Sequence, residues 1–161
     1  MKAELKLLLP ALRRFAYSLT GSMADADDLL QNTILRLLDT PPAEGIPLPQ
    51  WAFKICRNLW IDDYRAQKVR LQAANKPELR HENISDGEQD MLNNIHLSEV
   101  NTAMNTLPDE QREVLSLIAV QGLSYQEAAK ILAIPAGTIM SRLARARAAM
   151  VNALQNKGSW A

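Results

Sequence analysis

Hydroxyl and arginine side chains are concentrated near the C-terminus, in the stretch GTIMSRLARAR at 137–147. On a helix with about 100° between residues, one face collects both hydroxyl groups and two arginines: Thr138, Ser141, Arg142 and Arg145. Arg147 lies at the flank of that face. Hydroxyl groups and a helix N-terminus bind phosphate well, and an arginine can donate two hydrogen bonds to a guanine edge. The stretch therefore predicts a recognition helix in a DNA major groove.

The residues before this stretch predict the elements that would position it. The sequence SYQE at 124–127 is typical of a capping box, and AIP at 133–135 predicts a tight turn. A short helix, a turn and a longer basic helix then follow one another, which is helix-turn-helix spacing. The apolar residues of the two helices fall where the helices would pack together: Ala128, Ile131 and Leu132 on the first, and Ile139, Leu143, Ala146 and Met150 on the second.

A second polar surface is predicted on a long helix from about Trp51 to Lys68. Two apolar stripes on this helix predict packing on two sides, which leaves one strip open. The open strip contains Lys54, Asn58, Ile61 and Arg65. Lysine and arginine bind phosphates, and an asparagine amide can read a base edge. The strip therefore indicates a second contact with nucleic acid.

The net charge of the chain hides these surfaces, because 18 Lys and Arg balance 18 Asp and Glu. The charges are segregated along the chain, with basic segments at 54–70 and 136–157 and acidic segments at 20–44 and 76–99. This distribution predicts two contacts with a polyanion and at least one contact of another kind. The single Cys56 excludes an internal disulfide, is predicted to be buried and favours the cytoplasm.

Composition and periodicity predict an all-α fold. The chain is rich in Leu, Ala, Gln and Arg, and no stretch approaches the ~20 apolar residues of a membrane span. Pro10 predicts that the first helix begins near that residue, since proline suits a first helical turn. A second helix is expected at about 23–38, and the proline-rich stretch 40–49 predicts a loop.

The loss of apolar periodicity after the long helix predicts two small helical domains joined by a flexible linker. We expect an N-terminal domain at 1–71, a linker at 72–96 and a C-terminal domain with the helix-turn-helix at 97–161. Domains of roughly 70 residues are marginal alone, so we expect them to dock against each other or a partner.

Three stretches in order resemble bacterial RNA polymerase sigma factors of the extracytoplasmic-function group. Residues 24–38, ADADDLLQNTILRLL, resemble the helix that binds core polymerase. Residues 51–65, WAFKICRNLWIDDYR, resemble the helix that reads and melts the −10 element. Residues 107–150 resemble the domain that reads the −35 element. The resemblance covers about 5–70 and 98–154, nearly everything outside the linker.

The resemblance implies a role for particular residues on each surface. The clamp helices of the polymerase β′ subunit would be bound by Asp27, Asp28, Gln31 and Leu35. The −10 element would lie near Trp51, Lys54, Asn58, Asp62 and Arg65, with loop 40–49 helping to hold a flipped base. The −35 element would be read by Thr138, Ser141, Arg142, Arg145 and Arg147.

Two residues depart from the pattern of the family. Ala133 occupies a turn position where the family commonly has glycine, which strains the turn only if that residue needs a positive φ. Met140 stands where many relatives carry a basic residue, so one phosphate contact would be missing. Both departures leave the preferred promoter sequence open.

The function that the resemblance implies is transcription initiation: binding core RNA polymerase, reading −35 and −10 elements and helping to open the DNA. We expect no catalytic residues, cofactor or metal, because the nucleotide chemistry belongs to the polymerase. An anti-sigma factor is implied as a further partner. Two alternatives stay open: a sigma-like adaptor that sequesters an anti-sigma factor, and a plain helix-turn-helix transcriptional regulator, which would leave the first 70 residues without a purpose.

Overall fold

The computed structural model describes residues 1–73 and 91–156. The described residues contain α-helices and no strand, so the predicted all-α class is confirmed. The helices are α1 (Lys2–Thr20), α2 (Met23–Asp39), α3 (Leu48–Leu59), α4 (Ala66–Ala73), α5 (Met91–Asn105), α6 (Asp109–Leu115), α7 (Tyr125–Leu132) and α8 (Ala136–Asn156). A π-helical turn at Trp60–Arg65 joins α3 to α4, and a second at Ser116–Val120 extends α6. Most of the predicted linker lies outside the described residues.

Helix α1 begins at Lys2, so the expectation that it would begin near Pro10 is wrong. A proline inside a helix removes one hydrogen bond and crowds the preceding turn. The turns before Pro10 are nevertheless fixed by packing, since Leu5 is buried in the core. The predicted end of α1 is confirmed, because Gly21 caps it in the left-handed conformation with a φ of 76°.

Helices α1, α2 and α3 pack around an apolar core. The rings of Phe15 and Phe53 meet edge to face, with centroids 5.2 Å apart, which is a favoured aromatic arrangement. Both apolar stripes of α3 are buried, as predicted, and Cys56 lies fully inside. Burial raises the pKa of the Cys56 thiol to about 12, so this side chain is an inert part of the core.

Helix α3 begins at Leu48, before the predicted start at Trp51. Pro49 lies in its first turn, where the missing N–H of proline is harmless. The π-helical turn that follows α3 was not predicted. Such turns shift the faces of a helix relative to the preceding turns. Here Trp60 is buried and Asp62 is exposed.

The C-terminal half contains the predicted helix-turn-helix, formed by α7 and α8. The Ser124 hydroxyl accepts from the Glu127 N–H, and the Glu127 carboxylate accepts from the Ser124 N–H, which confirms the capping box. Ala133 ends α7 with a φ of 57°, so this position does require the left-handed conformation. Six of the predicted contact residues of the two helices are buried: Ala128, Ile131, Leu132, Ile139, Leu143 and Ala146. The seventh, Met150, is half-buried and packs against this core.

The two halves of the chain also pack against each other. Helix α1 contacts the π-helical turn at Ser116–Val120, and α3 contacts α7. Buried apolar residues of both halves belong to one continuous cluster. At the junction the Ser18 hydroxyl lies 2.9 Å from the Ser116 hydroxyl. Docking of the halves agrees with the expectation that such small domains need a neighbour.

Candidate nucleic-acid interface

The predicted recognition face of α8 points away from the core. Ser141, Arg145 and Arg147 are exposed, whereas Thr138 and Arg142 are half-buried. The backbone at the start of the helix is accessible too, because a Cβ built on Gly137 would meet no atom within 4 Å. A phosphate group can therefore approach the first turn of α8, where helix N–H groups favour anions.

The arginines of α8 are not equivalent. The Nε atom of Arg142 lies 3.7 Å from the Glu110 carboxylate of α6, on the same half of the chain. Within the described part of the chain, neither Arg145 nor Arg147 forms an ion pair. Of the two arginines on the predicted recognition face, Arg145 is therefore the one that could bind a ligand without first leaving an acidic neighbour among the described residues.

The open strip of α3 carries Lys54 and Asn58 one turn apart. Lys54 is half-buried and Asn58 is exposed. The Asn58 side-chain oxygen accepts a hydrogen bond of 3.1 Å from the neighbouring Arg57. Asp62 is exposed within the π-helical turn, and the side chain of Arg65 lies outside the described residues. The strip thus presents the Lys54 ammonium group and the Asn58 amide one helical turn apart.

Trp51 connects α3 to the loop that precedes it. Its indole N–H donates a 2.9 Å hydrogen bond to the Thr40 carbonyl at the end of α2. The loop between these two residues is therefore closed at its base, and Gly45 in that loop adopts a φ of 88°. Because its N–H is engaged, Trp51 would meet a ligand through its ring.

The acidic face of α2 is exposed but is linked to neighbouring helices. The Asp27 carboxylate lies 3.1 Å from the Arg13 Nε atom. The Asp28 carboxylate accepts a short hydrogen bond from the Tyr64 hydroxyl, which itself accepts from Asn32 at 3.2 Å. Burial, followed by the neighbouring Asp28, raises the pKa of Tyr64, so its hydroxyl stays protonated and donates.

The other two predicted residues of the α2 face are open. Gln31 is exposed, and Leu35 is 64% exposed despite its apolar side chain. A surface that combines an exposed leucine with acidic and amide groups is suited to binding a protein partner. The four residues Asp27, Asp28, Gln31 and Leu35 lie on the solvent-facing side of one helix, since Ala26, Leu29, Thr33 and Leu37 are buried on the other.

Several charged residues that the sequence did not single out lie between the halves. Arg57 follows the predicted polar strip but reaches Glu113 of α6, and Arg112 is buried with its Nε atom 2.8 Å from the Ser18 carbonyl. Burial lowers the pKa of Arg112 to about 10. The acid-rich start of α6 was visible in the sequence, but the partners of these residues are far away along the chain.

The fold and these surfaces define a two-part helical DNA-binding protein, with a helix-turn-helix in one half and a second polar helix in the other. Comparison with known families agrees. Residues 5–70 match the model for sigma-70 region 2, and residues 97–150 match the model for sigma-70 region 4.

The chain belongs to the RNA polymerase sigma factors of the extracytoplasmic-function (ECF) group. It is 36% identical to the ECF RNA polymerase sigma factor EcfG of Rhodopseudomonas palustris, over 91% of this chain and 81% of that protein. It is 32% identical to the ECF sigma factor SigM of Bacillus subtilis, over 90% of this chain and 88% of the relative. The family expected from the sequence is confirmed.

Solved structures give the same result. The sigma factor RpoE of Bartonella quintana, in complex with the anti-sigma factor NepR, superposes with a TM-score of 0.79 and 34% identity. The superposition covers 96% of this chain and 96% of that chain, so it includes both halves. In the ranges that the structure describes, no helix has the length and apolar character needed to cross a bilayer.

Proposed function

We propose that this sigma factor binds core RNA polymerase through α2, reads the −10 element with α3 and reads the −35 element with α8. The observation that carries the proposal is the order and separation of these surfaces along the chain. They fall within the two matched regions, residues 5–70 and 97–150, and each presents exposed groups suited to a different partner. Domains at 1–71 and 97–161, joined by a linker at 72–96, would allow the two DNA contacts to lie far apart.

For the −35 element, α8 lies in the major groove. Thr138 and Ser141 near its N-terminus bind phosphate, and Arg145 binds a base edge, with Arg142 and Arg147 contributing charge. The support for this assignment is exposure: Ser141, Arg145 and Arg147 face solvent on the side opposite the buried Ile139 and Leu143.

For the −10 element, the strip of α3 binds the opened strand. Lys54 and Arg65 bind phosphates, and the amide of Asn58 reads a base edge, beside Asp62 and Trp51. The loop 40–49 forms one side of a pocket for a flipped base. The hydrogen bond from Trp51 to Thr40 supports this assignment, because it fixes the base of that loop beside α3.

For core polymerase, the face of α2 binds the clamp helices of the β′ subunit. Leu35 provides an apolar contact, while Asp27, Asp28 and Gln31 provide charge and hydrogen bonds. Catalysis is left to the polymerase, so this chain supplies no catalytic group of its own. Working with the polymerase places the protein in the cytoplasm.

An anti-sigma factor is the proposed regulatory partner. The relative RpoE of Bartonella quintana was solved in complex with the anti-sigma factor NepR, and it shares 34% of its residues with this chain. A sigma-like adaptor would bind an anti-sigma factor without binding promoters. The open Arg145 favours DNA binding instead, because an adaptor does not need a base-reading arginine.

Reconstituted transcription tests the proposed function. Purified core polymerase is incubated with the full chain and a library of promoter fragments, and RNA products are sequenced. We expect products from a subset of promoters that share −35 and −10 motifs, and none from core polymerase alone. Transcription from no promoter, together with tight anti-sigma binding, would establish the adaptor instead.

A further inference from the structure

The interface between the two halves contains an ion pair. The Arg57 Nε atom of α3 donates to one carboxylate oxygen of Glu113 at 2.7 Å, and its Nη2 atom donates to the other at 3.3 Å. The Glu113 side chain is 4% exposed, and that of Arg57 is 26% exposed. This two-point geometry fixes the orientation of both groups, as planar arginine–carboxylate pairs do.

The pKa of Glu113 is raised overall in this position, and Arg57 limits that rise. Burial raises the pKa of Glu113, while the hydrogen bonds and charge of Arg57, followed by the charge of Arg142, lower it. Asp109 of the same helix opposes ionisation. A buried carboxylate that loses its partner is strongly unfavourable, so the cation from the other half stabilises the docked arrangement.

A second set of contacts lies beside this pair. Arg112 donates to the Ser18 carbonyl at 2.8 Å and to the Asn105 side-chain oxygen at 2.7 Å. Asn101 donates to the Gly21 carbonyl at 3.1 Å. The backbone of Gly21 approaches so closely that an added Cβ would lie 2.5 Å from the Asn105 oxygen. The interface is therefore closely fitted as well as charged.

The docked arrangement cannot bind both promoter elements. A globule of 161 residues is about 40 Å across, from a radius of gyration of about 15 Å. The −35 and −10 elements are separated by about 25 base pairs, or about 85 Å of duplex at about 3.4 Å per base pair. Simultaneous contact with both elements requires the halves to separate.

The docked arrangement is shared with a solved relative. The sigma factor RpoE superposes on both halves together, and its structure contains an anti-sigma factor.

We propose that Arg57 and Glu113 form a reversible latch that closes the free protein and opens when the chain occupies both promoter elements. Only the open, promoter-bound state in this proposal rests on the proposed function. The latch joins the −10 half to the −35 half through one buried carboxylate. Opening returns Glu113 to water and leaves Arg57 beside Asn58, on the strip that faces the −10 element.

The distance between the halves in the free protein tests the latch. Leu7→Cys and Val151→Cys place one fluorescent label on each half, at side chains that are 84% and 52% exposed. The native Cys56 is buried and does not compete for the label. Single-molecule energy transfer then gives the ratio of open to closed molecules at pH 8, without polymerase or DNA.

Two variants test whether the charges of Arg57 and Glu113, and not only their packing, hold the halves together. Arg57→Gln leaves the buried carboxyl group of Glu113 without its partner, and we expect the open-to-closed ratio to rise about tenfold or more. Adding Glu113→Gln to that variant removes the orphan charge, so the ratio is expected to fall most of the way back. Arg13→Gln, which breaks the pair with Asp27 inside one half, is the matched control and leaves the ratio unchanged.

Three results would overturn the latch: a wild-type chain that is already mostly open, an Arg57→Gln variant that stays closed, or a double variant as open as Arg57→Gln. Circular dichroism confirms that each variant is folded. Because no step uses polymerase or promoter DNA, failure here leaves the proposed function standing. Failure of reconstituted transcription, conversely, leaves the measured closure standing.

A second pair of variants tests the fit of the interface by another route. Gly21→Ala places a methyl group against Asn105, while Gly45→Ala introduces the same type of backbone strain in open space. We expect the first variant to be several-fold more open than wild type and the second to match wild type. Equal behaviour of the two would contradict the closely fitted interface.

Discussion

Two arginines on the two proposed DNA-binding helices each lie beside a glutamate of α6, yet they differ in what they join. Arg57 reaches across the halves to a buried carboxylate at 2.7 Å, whereas Arg142 lies 3.7 Å from Glu110, which is 63% exposed and on its own half. The first pair must break when the halves separate, and the second can persist on DNA. Similar residue pairs can therefore close a protein or merely orient a side chain, depending on burial and on which elements they connect.

The largest expected effect is a loss of −35 binding that differs between two arginines of α8. Arg145→Ala removes an exposed arginine that has no ionic partner within residues 1–73 and 91–156, and is expected to weaken −35 binding by about 1–3 kcal/mol. Arg142→Ala is expected to cost less, because its guanidinium already interacts with Glu110 and gains less from DNA.

Titration of labelled −35 duplex with the full chain measures both losses at one fixed salt concentration, with Arg14→Ala on α1 as the control. If Arg142→Ala were as damaging as Arg145→Ala, Arg142 would have to leave Glu110 on binding. The Arg142–Glu110 pair would then break on DNA, and it would no longer differ from the Arg57–Glu113 pair in this respect.

A surface outside both pairs is expected to behave independently of them. Replacing Asp28 and Gln31 together with alanine removes a carboxylate and an amide from the face of α2, and should weaken core-polymerase binding about tenfold, or about 1.4 kcal/mol. Polymerase titration by fluorescence anisotropy measures the loss, while −35 duplex binding by the same variant serves as the control. Equal loss of both activities would indicate misfolding of the chain.

Features whose determining interactions are local could be predicted from the sequence. The capping box at Ser124, the end of α1 at Gly21 and the two buried stripes of α3 all follow from spacing along one helix. The candidate site residues of α8 were found in the same way, because helical periodicity alone separates Arg145 from the buried Leu143.

The pairings across the chain could not be predicted from the sequence. Arg57 and Glu113 are 56 residues apart, and Tyr64 meets Asp28 over 36 residues, so no periodicity relates them. Pro10 misled because its local penalty is outweighed by packing of the first turns of α1. The π-helical turn at Trp60–Arg65 has no residue signature that distinguishes it from an ordinary helix.

The pH dependence of closure tests the role of the buried Glu113 carboxyl group. In Arg57→Gln, Glu113 faces Arg142 of α8 and Asp109 of its own helix but lacks its main cation. The pKa of Glu113 in the closed state then lies above the ordinary value for glutamate. The closed state is therefore fully stabilised below the ordinary pKa, and this stabilisation is lost as the pH rises through the raised pKa.

Energy transfer between the two labels should therefore report several-fold more open molecules at pH 8 than at pH 5 for Arg57→Gln. The double variant Arg57→Gln/Glu113→Gln has no carboxyl group at 113 and is expected to show little change over that range. A matching pH response in the double variant would assign the titration to another group.

The smallest effect concerns the turn that sets α8 against α7. Ala133 adopts the left-handed conformation, which glycine tolerates without steric penalty. Ala133→Gly relieves that strain but adds freedom to the unfolded chain, for a net gain of roughly 0.5 kcal/mol. Urea unfolding measures the gain, and Ala136→Gly, in the first turn of α8, should instead lower stability. A loss from Ala133→Gly would show that the turn carries no strain.

Site-specific crosslinking tests most directly that one chain reads two separated DNA elements. A photoreactive amino acid replaces Asn58 on α3 in one variant and Ser141 on α8 in another, and each variant is assembled with core polymerase on the same promoter. We expect crosslinks at the −10 element from position 58 and at the −35 element from position 141, about 85 Å apart on the duplex. Crosslinks from both positions to a single element, or none from position 58, would contradict it.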